Sequence, residues 1–150
     1  MKTLILENIR SAYNVGNMIR TADALGRDVR LSGYTPTPRE NTKVVKTSLG
    51  AEETVHIRQF DNTADALQEA KTLWCKTIAA EITPDAIDLQ KFSWEKYPDI
   101  AVVFGNEVDG VLEKTLKAVD HIVSIPMQGI KESINVGQTS AIFMWAIKDN

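Results

Sequence analysis

Residues 99–105, DIAVVFG, are apolar almost without a break and end on a glycine. A strand with no polar face has no side to turn to water, so it belongs at the centre of a parallel sheet covered on both faces. Thr3–Glu7, Val29–Gly33, Thr54–Phe60, Lys76–Ile82 and His121–Pro126 also read as strands. Between the strands, residues 14–25, 62–74, 111–118 and 134–148 carry apolar side chains at spacings of three and four, as Ala66, Leu67, Ala70 and Leu73 do. Asp61 or Asn62 is placed to cap the second of these helices, and Gly26 to end the first. The alternation predicts an α/β fold, a mostly parallel sheet flanked by helices, in a single domain over residues 1–150.

Composition narrows the setting. No run approaches the roughly 18 apolar residues of a membrane span, and the apolar stretch of MKTLILENIR is too short for a secretory leader. Cys75 is the only cysteine, and His56 and His121 are far apart, so neither a disulfide framework nor a metal site is expected. These features together predict a cytoplasmic, metal-free protein. The net charge of −3 is unevenly spread: the first fifty residues carry +4, the middle fifty −5 and the last fifty −2. Such asymmetry fits either a polyanionic partner or a solvated basic face. The stretch Tyr34–Lys46, YTPTPRENTKVVK, holds two prolines and three bases. Pro36 and Pro38 predict a non-helical loop there, either a recognition element or a surface connection.

Ligands of α/β sheets collect where strands end and helices begin, and three such places are unusual here. In NVGNMIRTADALG, the stripe Val15, Met18, Ile19, Ala22 and Leu25 faces inward and leaves Arg20 outside it. Gly16 lies one turn before Arg20, leaving room for an approach beside the guanidinium, and Asn14 is placed to cap the helix or to present its amide at the helix mouth. Periodicity by itself favours a solvated arginine behind an ordinary cap. In FGNEVDGV, Gly105 and Gly110 bracket a polar loop centred on Glu107, suited to close approach of an adenosine or phosphate. The chain has neither a lysine-bearing P-loop nor a G-x-G-x-x-G run after a strand, which argues against nucleoside triphosphates and dinucleotides. In IPMQGIKESINVGQTSAIFMWAI, a strand ends at Pro126 and a helix starts near Ser133, read as its cap, with Asn135 in the first turn. That helix is apolar on several faces through Ile142, Phe143, Trp145 and Ala146, which implies a second buried surface, against another subunit.

Taken in order, NIRSAYNVGNMIRTADALG, VVFGNEVDGV and IPMQGIKESINVGQTSAI resemble the three motifs of the SpoU (TrmH-like) RNA 2′-O-ribose methyltransferases of the SPOUT superfamily. KTSLGAEETV resembles the segment that sits between the first two, so the resemblance covers nearly the whole chain. It implies a C-terminal trefoil knot, which general topology rules would exclude, and a homodimer with active sites at the subunit interface. It also implies S-adenosylmethionine as cofactor, held by Ala80, Glu81 and Ile82, by Gly105, Asn106, Glu107 and Gly110, and by Ile125, Pro126, Met127, Ser133, Ile134 and Asn135. Arg20 matches the family's catalytic arginine and Asn14 its companion. Glu107, Ser133 and Asn135 match the polar residues of the other two motifs. After INV the chain has Gly137, Gln138 and Thr139, where many members have serine and small apolar residues.

The expected reaction is methyl transfer to a ribose 2′-hydroxyl of tRNA or rRNA, with Arg10, Arg20, Arg39, Lys43 and Lys46 on RNA phosphates and no separate RNA-binding domain. Arginine is an awkward base, since its pKa exceeds about 12. Arg20 either gives up its proton in a cationic site and accepts one from the ribose, or stays charged, grips a phosphate bidentately and stabilises the developing alkoxide. The pKa favours the second. The rival readings are a base-nitrogen methyltransferase on the same fold, a non-catalytic RNA-binding knotted protein, and a doubly wound nucleotide-binding domain.

Overall fold

A computed structural model describes residues 1–147, so the end of the helix expected over 134–148 lies outside the described residues. Seven strands form one parallel sheet: β1 (Lys2–Glu7), β2 (Asp28–Ser32), β3 (Ile57–Phe60), β4 (Lys76–Ala80), β5 (Ile87–Asp88), β6 (Ile100–Phe104) and β7 (His121–Ser124). Their order is β3-β2-β1-β6-β4-β7-β5. The helices are α1 (Ala12–Ala24), α2 (Thr42–Ser48), α3 (Thr63–Thr72), α4 (Glu113–Ala118) and α5 (Val136–Ala146). All five residues of β6 are buried, and the strand pairs with β1 and β4, as its unbroken apolarity requires. Alternate β1 residues feed two cores. Leu4 and Leu6 join α1, Phe104 and Phe143 on one face, while Ile5 joins Ala66, Leu67 and Ala70 of α3 on the other.

Several local expectations need correction. Ser11, not Asn14, caps α1: its side chain accepts from Asn14 N at 3.2 Å, which puts Asn14 in the first turn. The prolines at 36 and 38 exclude helix only where they stand. Asn41 accepts from Lys43 N at 3.0 Å and starts α2 within the stretch expected to be loop. The room beside Gly16 is filled by that helix, since a Cβ there would overlap Thr47 Oγ1 and the Val44 carbonyl. The glycine therefore serves a close helix–helix approach, not a ligand. Asn62 caps α3, accepting from Asp65 N at 2.8 Å, and Gly26 follows α1 with φ +64°. The strand expected from Thr54 begins only at Ile57, and β5, two residues long, is too short to show a period.

Two of the basic residues in the first third are structural. Arg27 donates from Nη2 to the carbonyls of Met144 (3.3 Å) and Ile147 (2.8 Å), tying down the end of α5. Buried Arg30 pairs with Glu69 at 2.7 Å and with Thr3 Oγ1. The basic excess facing solvent is smaller than the sequence count implies.

The slot of β7 positions the site. This strand follows β4, β5 and β6 in the chain, yet it lies between β4 and β5. Asp120 fixes its entry by accepting from Thr77 N (2.8 Å) and Thr77 Oγ1 (2.7 Å). Burial opposes ionisation of Asp120, but these bonds and the Lys76 charge outweigh it and hold the carboxyl below its usual pKa. The stabilisation is present above the ordinary carboxyl range and is lost as pH falls through the lowered value. Asp120→Asn is expected to cost about 1 kcal/mol at pH 7, a charged hydrogen bond discounted for partial exposure. Urea unfolding of the two proteins should converge only once pH falls below that lowered pKa; a gap that persists at still lower pH would assign the loss to packing.

Candidate active site

The C-terminal ends of β4, β6 and β7 release three loops, residues 81–86, 105–112 and 125–135, onto one side of the sheet. They enclose a cavity of about 350 Å³, within the range of small-molecule sites. Ala80, Glu81 and Ile82 wall it from the first loop, and Gly105, Asn106, Glu107 and Gly110 from the second. Ile125, Met127, Ser133, Ile134 and Asn135 wall it from the third. Of the residues expected to hold a cofactor, Pro126 alone does not line the cavity. Sequence reading missed its floor, made by Phe104, Val123 and Phe143, and its polar contributors Ser124 and Thr139. Val108 and Val136 complete the wall. A signal existed for two of these: Thr139 and Phe143 follow Asn135 at helical spacing on α5. The departure from the family pattern at 137–139 therefore touches the wall.

The second loop is folded tightly on itself. Gly110 N donates to the Asn106 carbonyl at 2.9 Å, and a Cβ on Gly105 would overlap the backbone of Gly110 and Val111. Asn106 is buried and saturated: Oδ1 accepts from Val108 N (2.8 Å) and Asp109 N (2.9 Å), and Nδ2 donates to Asn8 O and Tyr34 Oη, each at 2.9 Å. Glu81 accepts from Val111 N and Ile82 N, both at 2.9 Å, stitching the first loop to the second. Glu7 is buried at the end of β1 and accepts from Leu112 N (2.8 Å) and Thr115 Oγ1, capping α4, whose own N-cap residue is a leucine. Nothing in the local sequence marks Glu7 for this role, which depends on contacts more than a hundred residues away.

Glu107 is exposed, and its carboxylate accepts from Arg10 N at 2.9 and 3.0 Å and from Ser11 N at 3.3 Å. It fastens the cavity loop to the mouth of α1, where the helix dipole favours a negative charge. Its place is among backbone amides rather than against Arg20. Asn135 caps α5, accepting from Gly137 N (2.8 Å) and Gln138 N (3.3 Å). This corrects the expectation that Ser133 caps the helix; Ser133 is exposed on the loop and lines the cavity. A Cβ on Gly137 would stand 3.0 Å from Asn135 Oδ1, so the residue after Val136 is small where the cap is made. Asn135 Nδ2 donates to Asn14 Oδ1 at 3.2 Å, joining the first and third motifs across 121 residues. Arg20 is not in the cavity wall. It lies about 9 Å further along α1 than Asn14, exposed, with no hydrogen bond or ion pair to the described residues. Arg10, Arg39, Lys43 and Lys46 are exposed as well.

Among the described residues the wall contains two carboxylates, Glu81 and Glu107, and no lysine or arginine. Such a cavity repels polyphosphates and accepts a cationic or zwitterionic ligand. Its apolar floor suits a flat ring, and the glycine-bounded loop brings backbone close to it. A bound adenosyl sulfonium amino acid meets each of these conditions. Among the described residues no group of three or more His, Cys, Asp and Glu side chains is placed to hold a metal ion. No helix there is long and apolar enough to cross a membrane.

A sequence model of the SpoU rRNA methylase family matches residues 1–145. The tRNA (guanosine(18)-2′-O)-methyltransferase of Thermus thermophilus is 31% identical over 147 residues, which cover 95% of this chain and 72% of that protein. The 23S rRNA (guanosine-2′-O-)-methyltransferase RlmB of Neisseria meningitidis is 34% identical over 142 residues, covering 94% of this chain and 55% of that protein. Among solved structures, the AdoMet-bound rRNA methyltransferase of Sinorhizobium meliloti superposes with a TM-score of 0.89 at 22% identity. That superposition covers 97% of this chain and 55% of the other, and the likeness is one of fold. The chain thus spans about half the length of the Neisseria and Sinorhizobium proteins.

Proposed function

The chain belongs to the SpoU rRNA methylase family, and from that premise we propose that it is an S-adenosylmethionine-dependent methyltransferase acting on a ribose 2′-hydroxyl of tRNA or rRNA. The observation that carries this reading is the cavity itself, three strand-end loops around a pocket that has no cationic side chain among the described residues. The names of the Thermus and Neisseria relatives support the reaction and the substrate class. S-adenosylmethionine, when bound, supplies an electrophilic methyl group on a sulfonium. The residues to hold it are the three loop segments from Ala80, Gly105 and Ile125 onward, with Pro126 shaping its loop from outside the wall.

The rest of the chemistry belongs to the chain's own residues. A ribose hydroxyl is a poor nucleophile until its proton leaves, here to solvent water as the methyl is transferred, and its developing charge is stabilised. Arg20 in the charged state does the second, binding the adjacent phosphate and the oxygen through its planar fork. Asn14 and Asn135 orient the ribose, Ser133 faces the reacting centre, and Glu107 holds the mouth of α1 in register. Since Arg20 stands outside the cavity wall of its own protomer, the active centre is shared: Arg20 of the partner subunit completes each cavity. The exposed apolar side chains Ile142 and Trp145 on α5 and Tyr13 on α1, helices that pack together, support that dimer face. The placement of β7 between two earlier strands supports a trefoil knot closed by residues 125–135. The setting is the cytoplasm.

The deciding experiment incubates the protein with methyl-labelled S-adenosylmethionine and separate tRNA and rRNA pools, then hydrolyses the RNA in alkali. Label is expected in alkali-resistant dinucleotides, since a 2′-O-methyl group blocks cleavage. Label in a modified base would overturn the ribose reading. Binding to the phosphate backbone makes a further prediction for Arg39→Ala and Lys43→Ala. Each should weaken RNA binding across sequences and reduce the slope of log K against log salt by about 0.7–0.9. An unchanged slope in both would remove these residues from the interface.

A further inference from the structure

Tyr34 has no role in the chemistry so far, yet it is held more firmly than a surface residue needs. The residue is 61% exposed. Its backbone N donates to Asn8 Oδ1 at 3.2 Å, and its hydroxyl oxygen accepts from Asn106 Nδ2 at 2.9 Å. Both flanking residues are fixed as well. Gly33 has φ +63° and lies so close to Asn8 Oδ1 that a Cβ would overlap it. Thr35 is buried, with Oγ1 accepting from Ile9 N at 3.0 Å. Asn106, the residue that grips the hydroxyl, is part of the cavity wall.

An aromatic side chain pinned at both its hydroxyl and its backbone, yet with most of its surface facing solvent, is restrained beyond what burial accounts for. We infer that Tyr34 is a stacking platform for a nucleobase of the RNA, fixed one hydrogen bond from the cavity so that the ribose of that strand meets the reacting centre. The inference rests on the reading of the chain as an RNA methyltransferase and adds a residue that contacts the base. Two physical points favour a base over other occupants. Every nucleobase offers a π face, so a single ring serves without regard to sequence. A ring already immobilised loses little conformational freedom on stacking. Arg10 and Arg39, exposed on the flanking segments, supply charge for the adjoining phosphates.

The test compares Tyr34→Ala, Tyr34→Phe and the unaltered protein in methyl transfer to the RNA pool that the unaltered protein labels, with S-adenosylmethionine affinity measured separately by calorimetry. Tyr34→Ala is expected to raise KM for RNA about tenfold or more while leaving cofactor affinity within about twofold of wild type. Tyr34→Phe keeps the ring but loses the hydrogen bond that fixes it, and is expected to raise the RNA KM by less than Tyr34→Ala does. Two results overturn the inference: an unchanged RNA KM in Tyr34→Ala, or a loss of cofactor affinity common to both variants, which would make the hydroxyl a prop for Asn106 alone. If the unaltered protein labels no RNA, the parent reading falls, and this inference with it.

Discussion

Arg20→Ala is expected to lower kcat for methyl transfer by about 10²–10³-fold, the loss of one donor aimed at developing negative charge. Cofactor affinity and thermal stability should stay at wild-type values. The second half of that expectation follows from the structure. Arg20 is exposed on α1, makes no hydrogen bond or ion pair to the described residues and stands outside the cavity wall. Alanine is also the better helix former. Arg20→Lys separates the two roles open to the arginine. If the side chain clamps phosphate and alkoxide, lysine keeps the charge and loses the fork, and the rate drops about tenfold or more with an unchanged pH profile. If it takes the ribose proton, lysine is the easier base, and the rate should climb with pH toward about 10.4. Wild-type turnover in Arg20→Ala would end the assignment.

Gly105→Ala is expected to raise the Kd for S-adenosylmethionine at least about 100-fold and to cost about 1–3 kcal/mol of stability. The added methyl has no space, because the backbone of Gly110 and Val111 already occupies it. The loop would have to open, breaking the bond from Gly110 N to Asn106 O and the one from Val111 N to Glu81. Gly129→Ala is the control, since nothing lies within 4 Å of its would-be Cβ, and it should bind the cofactor normally. Calorimetry and thermal melts of the two variants decide the matter; normal binding by Gly105→Ala would place the ligand elsewhere. The two disabled proteins also test the shared centre. Mixed and allowed to exchange subunits, Arg20→Ala and Gly105→Ala should recover about a quarter of wild-type activity, because half the dimers then hold one intact centre. No recovery would mean each protomer works with its own arginine.

What could be read from the residues follows from how locally each feature is determined. The unbroken apolarity of β6 is a local property, so its central place was legible, as were the inward stripe of α1 and the loops that line the cavity. Caps were read less well. Ser11, Asn14, Ser133 and Asn135 all have cap-forming side chains, and a shift of a few residues decides which one acts. Arg27 and Arg30 look like surface charges until their partners, more than a hundred and nearly forty residues away, come into contact. At Gly16 the sequence suggests room for a ligand, because Pro36 and Pro38 mask α2, which begins only after them. Glu107 lies in the glycine-bounded loop that the sequence singles out, but its acceptance of the α1 amides depends on the fold.

The order of synthesis gives the insertion of β7 a further meaning. The chain emerges with β4 and β5 made before β7, so the place between them must stay vacant until residues 121–124 are made. During that interval the edge of β4 has unpaired amides and carbonyls, open to mispairing with other chains. Closing the gap requires long-range contacts, which form slowly. Ile125, Met127, Ser133 and Asn135, which complete the cavity, arrive only after that closure. A nascent or truncated copy therefore has no place to hold a methyl donor, and the appearance of cofactor binding during refolding should time the arrival of the final strand.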